Sequence, residues 1–276
     1  MFRKTVAACI FTVLAISLAT GADTRPPHAQ LSAAEIVDRN VSARGGLQAW
    51  RAVQSLSMKG KMEAGGNNRP TLPMPGRKTG PHMPQQVRPT EQVQLPFVME
   101  LKRPRKVRVE LQFNGQTAIQ VFDGSNGWKL RPFLNRHEVE PYTAEELKAT
   151  AVQADVDGPL VDYAAKGTKV ELEGVEKVGD SEAYKLNLTF KSGQTQHVWV
   201  DTKTFLEVKI EGTPRRLDGN YHPVATYLRD YKAVNGLIVP YVLETAVEGV
   251  SQVERIQIEN VAVNPKLDDS LFAKLQ

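Results

Sequence analysis

From about Gln94 to Ile258 the chain alternates apolar and polar residues, segment after segment, with only short turns between. A period of two places every second side chain on one face of a strand, so this stretch calls for antiparallel sheet with one face turned from water. Leu56, Met58, Gly60 and Met62 open the pattern. Phe97, Met99 and Leu101 follow, then Val107, Val109, Leu111 and Phe113. Asn114-Gly115 is the strongest short hairpin signal, because both central positions of a type I′ turn need positive φ. It returns the chain through Ala118 to Phe122, and Gly124–Gly127 turns it again into Trp128 to Phe133. Further strands are predicted over 170–178, 183–190, 196–201, 205–211, 223–231, 237–247 and 252–261. Pro240, inside one of them, implies a bulge or an edge. Roughly ten or eleven strands on one sheet cannot stay flat, so the sheet should curl. The expected class is mainly β with a few helices.

Two helical stretches can cover the inside of that curl. Ser32 and Glu35 have capping-box spacing, Ile36, Val37 and Val41 form one stripe, and Gly45-Gly46 stops the helix. A short helix over Leu47 to Val53 would share a face between Leu47, Trp50 and Val53. In mid-chain, Thr143 and Glu146 make a second capping box, with Leu147 and Val152 on the apolar side. Asp157-Gly158-Pro159 is read as opening one more short helix, with Asp157 as its cap and Gly167 as its end.

The first 22 residues have the layout of a secretory signal peptide: Arg3 and Lys4, an apolar run from Thr5 to Ala19, and small residues for cleavage near Ala22. The run is short for a membrane span. Cys9, the single cysteine, falls too early for a lipoprotein processing box and would leave with the signal. The mature chain, 23–276, would then be one exported domain without disulfides or cysteine-based zinc. Residues 64–92 interrupt it. They are rich in Pro and Gly and carry Arg69, Arg77, Lys78 and Arg88 with no acid before Glu91. This insertion reads either as a flap or docking loop or as a tolerated surface excursion.

No residue pattern asks for catalysis. The five histidines lack metal-ligand spacing, and no nucleophile elbow, P-loop or dinucleotide fingerprint is present. No catalytic residue, metal or cofactor is assigned. With 35 Lys and Arg against 31 Asp and Glu, the chain has no charge signature for nucleic acid. One local excess stands out: Lys102, Arg103, Arg105, Lys106 and Arg108, around Pro104. It reads either as a contact for anionic headgroups or an acidic partner, or as solvated charge guarding a sheet edge.

Several stretches together resemble the bacterial LolA/LolB-like, outer-membrane lipoprotein-sorting superfamily. They are Ala34–Val37 leading to Gly45-Gly46-Leu47, Val53–Gly60 entering the first strand, and Asp157–Tyr163 in mid-chain. Ala183–Leu186, Val200-Asp201 with Phe205–Lys209, and Leu267–Phe272 complete the set. The resemblance implies a strongly curved, half-open antiparallel β-barrel with helices plugging its concave face, working in the periplasm as a monomer. It implies a carrier, not an enzyme, for lipoprotein acyl chains or another lipid. On that reading the cavity would be lined by Met58, Met62, Phe97, Met99, Leu101, Val107, Val109, Leu111, Trp128, Leu186, Leu188, Val198, Val200, Leu206, Val208 and Ile210, with Leu147 and Leu160 as lid contacts. The alternative expectation is an envelope sensor or scaffold that binds a protein through the basic cluster and the insertion.

Overall fold

The computed structural model describes residues 31–65, 92–132, 135–217 and 219–275. The expected signal peptide and the body of the insertion lie outside them. The chain divides into Met1–Leu31 and Ser32–Gln276, and every described helix and strand belongs to the second unit.

Helices α1 (Ala33–Ala43) and α2 (Leu47–Ala52) precede β1 (Ser55–Gly65). Then come β2 (Gln92–Lys102), β3 (Lys106–Phe113), β4 (Gln116–Phe122), β5 (Gly127–Arg131) and β6 (Arg136–Pro141). After α3 (Ala144–Gln153) the chain continues through β7 (Lys169–Val178), β8 (Ser181–Thr189), β9 (Thr195–Asp201) and β10 (Glu207–Leu217). It closes with β11 (Asn220–Val234), β12 (Leu237–Val247), β13 (Glu254–Val263) and a 3-10 turn, Asp269–Phe272. Strands β1 and β2 pair as far as Gly65 with Gln92, so the strands run into both ends of the expected insertion.

All pairings are antiparallel, in one sheet of order β6-β5-β4-β3-β2-β1-β13-β12-β11-β10-β9-β8-β7. The chain starts at the centre, meanders out to β6, crosses over through α3 and residues 154–168, and meanders back from β7 until β13 pairs with β1. The sheet is curved and unclosed, ending at β6 and β7. Thirteen strands replace the ten or eleven expected. The strand with no sequence signal is β6: with Arg136, His137 and Glu138 exposed, an edge strand has no apolar face to alternate.

Both predicted capping boxes form, Ser32 with Glu35 and Thr143 with Glu146. The Asn114-Gly115 turn adopts φ values of 49° and 73°, as a type I′ hairpin requires. The helix expected after Pro159 does not form. Residues 154–168 are a succession of turns, with Gly158 at φ 79° and Asp162 at φ 52°, and a left-handed residue interrupts the helical ladder.

Pro240 lies inside β12, with no bulge in the register with β11, on a stretch of the strand whose other side is a local edge. It is tolerated because the partner on the other side is missing there. Pairing of β12 with β13 covers only Val242–Thr245, and the end of α1 docks beside the seam that this leaves. Ile238 N–H donates to Arg44 O at 3.0 Å, and Pro240 has no N–H to leave unpaired. Gly45 makes this approach possible. Its φ is 112°, and a Cβ there would sit 2.2 Å from Gly236 O. Gly45→Ala is expected to lower stability by about 1–3 kcal/mol, seen as an earlier urea midpoint at unchanged slope. An unchanged midpoint would show that the seam adapts.

Candidate functional site

The register assembles one continuous apolar face. Leu56, Met58 and Met62 of β1 are level with Leu101, Met99 and Leu95 of β2, and Phe97, Met99 and Leu101 with Leu111, Val109 and Val107 of β3. On the other side of β1, Met58 meets Val261 and Met62 meets Ile256. The face continues through Leu243 and Leu228, then Thr226 opposite Ile210, then Val198 and Leu186. Across two intervening strands, Arg215 of β10 and Glu254 of β13 close a two-pronged ion pair at 2.5 and 2.7 Å. In a flat sheet those strands would stand about 14 Å apart. Such closure belongs to the inside of a bend, where side chains converge, so this is the concave face.

That face has a dry flank and an open centre. On β8 and β9, Leu186, Leu188, Val198 and Val200 are 0 % exposed, as are Ile36 of α1 and Leu160 and Val161 of the crossover. These residues form a packed core. Phe205, at φ 57°, precedes β10 and helps seat α1: Arg39 lies over its ring at 5.2 Å and Asn40 donates to its carbonyl at 2.8 Å. Nearer the middle, Phe97 and Leu101 are buried. Met58, Met62, Met99, Val107, Val109, Leu111 and Ile210 are only half-buried, and so are Leu228, Leu243 and Ile256. A cavity of about 500 Å³ opens at the far end of β2 to β4, between Leu95, Pro96, Phe113, Asn114 and Gln116. Leu206 precedes β10, and Val208 falls in the irregularity between Glu207 and Lys209. Glu207 is therefore the residue that turns inward.

Trp128 departs from its expected place. It is level with Val121 and Pro141, on the outer face, while its neighbour Lys129 points to the concave side. Lys129 is 8 % exposed and is held by Glu146 of α3 at 2.5 and 2.7 Å. Leu147 of α3 is half-buried. Beneath α3 lies a small cavity of about 150 Å³, bounded by Gln120, Lys129, Arg131, Tyr142, Glu146, Ala149 and Thr150. Sequence patterning missed it because charged residues at inward positions break the apolar alternation.

One end of the trough is tied by buried charge. Arg44 pairs with Glu207 at 3.1 Å, with side chains 9 and 4 % exposed, and donates to Asp157 O at 3.0 Å. Tyr231 donates to Glu207 O at 2.8 Å, and burial, with Glu207 beside it, pushes its hydroxyl pKa upward. Asp157 is no helix cap. Its carboxylate, 2 % exposed, takes Arg103 and Lys166 at 2.7 Å each.

The basic cluster is engaged inside the molecule. Besides Asp157, Arg103 holds Val53 O and Trp50 O. Arg105 meets Ala151 O and lies 3.8 Å from Asp155. Arg108 pairs with Glu110 and donates to Leu271 O. Lys102 and Lys106 both grip Asp269 at 2.9 Å, so the 3-10 turn is strapped to the outer face. Hydrogen bonds from Lys102 and then Lys106 lower the Asp269 pKa from 3.8 to about 2. A depressed carboxylate pKa stabilises above the unfolded value and is lost as pH falls through the folded one. The strap should therefore loosen between about pH 4 and 2, read as faster amide exchange at Phe272. Asp269→Asn should remove that pH dependence; if it persists in the variant, another group controls it.

Among the described residues no group of three or more His, Cys, Asp or Glu could hold a metal. His197 contacts Glu211 at 2.6 Å and Glu173 at 3.4 Å on the outer face. His137 is exposed, His222 lies beside Glu248 O, and His28 and His82 fall outside the described residues. No helix of the described residues is long and apolar enough to cross a membrane.

No family model and no curated protein matches this sequence. Solved structures do. A LolA-superfamily protein from Nitrosomonas europaea is similar at TM-score 0.55 and 13 % identity, over 88 % of this chain and 98 % of that one. An outer membrane lipoprotein-sorting protein domain from Vibrio parahaemolyticus is similar at 0.54 and 11 %, over 88 and 96 %. A DUF1329 family protein from Desulfovibrio piger is similar at 0.53 and 14 %, over 86 and 95 %. At these identities the likeness is one of fold: the chain folds as LolA-superfamily and lipoprotein-sorting proteins do, in agreement with the sequence resemblance.

Proposed function

We propose that this chain is an exported, periplasmic carrier that shelters a hydrophobic ligand, an acyl chain of a lipid or lipoprotein, in the open centre of its concave face. The observation that carries the reading is the contrast along one apolar face: a flank at 0 % exposure on β8 and β9 beside a band of half-buried methionines and aliphatics. Contiguous apolar surface left partly exposed marks a place where something binds. Flexible methionine side chains there suit guests of irregular shape. Each methylene moved from water into the band gains about 0.8 kcal/mol. Ten would give about 8 kcal/mol, against association costs of at least about 4 kcal/mol. The remainder is modest, as suits a carrier that must also release.

Native mass spectrometry of protein purified from bacterial envelopes tests the reading, with displacement of a fluorescent fatty acid alongside. Co-purified lipid and saturable displacement are expected. The absence of both co-purified lipid and displacement would overturn the carrier reading. The scaffold alternative has less behind it, because the basic cluster that would recruit a protein is occupied by Asp155, Asp157, Glu110 and Asp269.

A further inference from the structure

Along one line across the sheet the concave face changes from greasy to charged. Val261, Met58, Met99, Val109, Gln120 and Lys129 are successive Cα partners across β13, β1, β2, β3, β4 and β5. From Met58 to Lys129 is four strand spacings, about 19 Å. The apolar part belongs to the open band, and the polar end runs into the cavity beneath α3, about 150 Å³, room for roughly five water-sized groups. Such a space admits a small polar group and not a hydrocarbon chain.

We propose that the cavity beneath α3 receives the anionic head of a single-chain amphiphile, a carboxylate or a phosphate monoester, whose tail lies over Val109, Met99 and Met58. This rests on the carrier reading of the open band and adds a polar end to its ligand. The chemistry of the walls supports it. Two cations, Lys129 and Arg131, and one carboxylate, Glu146, line the cavity; Arg131 is also paired with Glu140 at 2.7 Å, and its five N–H groups leave donors to spare. Its Nε–H is buried without an acceptor. That unsatisfied donor belongs to a residue of the cavity wall, and an oxygen brought to it would satisfy it. Tyr142 and Thr150, two hydroxyl-bearing residues, belong to the same walls. Burial, then the Glu146 charge, pushes the Tyr142 pKa up to about 12, so its hydroxyl stays a donor at neutral pH. The glycine at 127 leaves the space that the Tyr142 ring fills, since a Cβ there would come 2.1 Å from that ring.

Calorimetric titration of the full chain with decanoate, decan-1-ol and inorganic phosphate tests this. Decanoate should bind at least tenfold more tightly than decan-1-ol, and inorganic phosphate far more weakly than either. Arg131→Gln should erase the preference for the acid while leaving the alcohol unchanged. Tyr142→Phe, which keeps the ring, should weaken decanoate severalfold and gives the same answer should Arg131→Gln fail to fold. Equal affinity for acid and alcohol in the unaltered protein overturns the head site and leaves the carrier reading standing. Phosphate binding as tightly as decanoate also overturns it, in favour of a free-anion site. If neither decanoate nor decan-1-ol binds, the carrier reading fails, and the head site with it.

Discussion

Replacing Asp157 by alanine is expected to destabilise the protein by about 3 kcal/mol, the lower end of the cost of breaking a buried ion pair, because the two cations left behind are partly exposed. The side chain is 2 % exposed, and both of its cations lie at 2.7 Å. Its removal takes from Arg103 and Lys166 the carboxylate they share and leaves Lys166 with only Asp155 as a carboxylate partner, at 3.5 Å. The damage would spread, because Arg103 also holds the carbonyls of Trp50 and Val53 and Arg44 holds that of Asp157 itself. One carboxylate thus joins the crossover, the β2–β3 turn and α2. At roughly 2–4 °C of melting temperature per kcal/mol for chains of about 150–250 residues, the fall should be about 10 °C. Asp157→Asn keeps an acceptor and should lose less. A melting temperature for the alanine variant within about 2 °C of the parent, less than 1 kcal/mol would produce, would show that the crossover is held by its apolar residues alone.

Asp157 also shows where sequence reading stops. Followed by Gly158-Pro159, it has every local mark of a helix cap, and local marks are what a sequence displays. Its two cations come from nine residues downstream and 54 residues upstream, and only the closed fold brings them together. The strands of the methionine row were legible because their burial is one-sided, and one-sided burial prints as alternation. Trp128 was misplaced for the same reason inverted. Strand β5 carries buried or half-buried residues along its whole length, with burial pattern alternating between Gly127 and Lys129 and not between apolar side chains. Its apolar residues therefore do not say which way is inward. Lys129, an inward charge paired by a helix residue 17 positions away, looks in sequence like an exposed residue. Nor could periodicity tell the dry flank from the open centre. Leu186 and Met99 obey the same alternation, and their difference comes from what α1 and the crossover happen to cover.

That difference gives the second large effect. Met99→Lys should leave the free protein within about 1 kcal/mol of its parent stability, since a half-buried side chain beside open solvent can extend its ammonium into water. Binding should suffer. A guest laid over that position must either strand the charge or leave the band half empty, and a penalty of about 2–3 kcal/mol corresponds to an affinity loss of roughly 30- to 150-fold. Leu186→Lys, on the same face but 0 % exposed, has no route to water. An unpaired buried charge there should cost more than about 4 kcal/mol and yield little folded protein. Fatty-acid displacement and urea unfolding on both variants separate the possibilities. If Met99→Lys unfolds as readily as Leu186→Lys, the face is packed dry from end to end and has no room for a tail. If Met99→Lys folds and binds as the parent does, the tail lies elsewhere. Only stability kept at Met99 with binding lost, beside stability lost at Leu186, fits a sheet that uses one flank to hold itself together and leaves the centre for a guest.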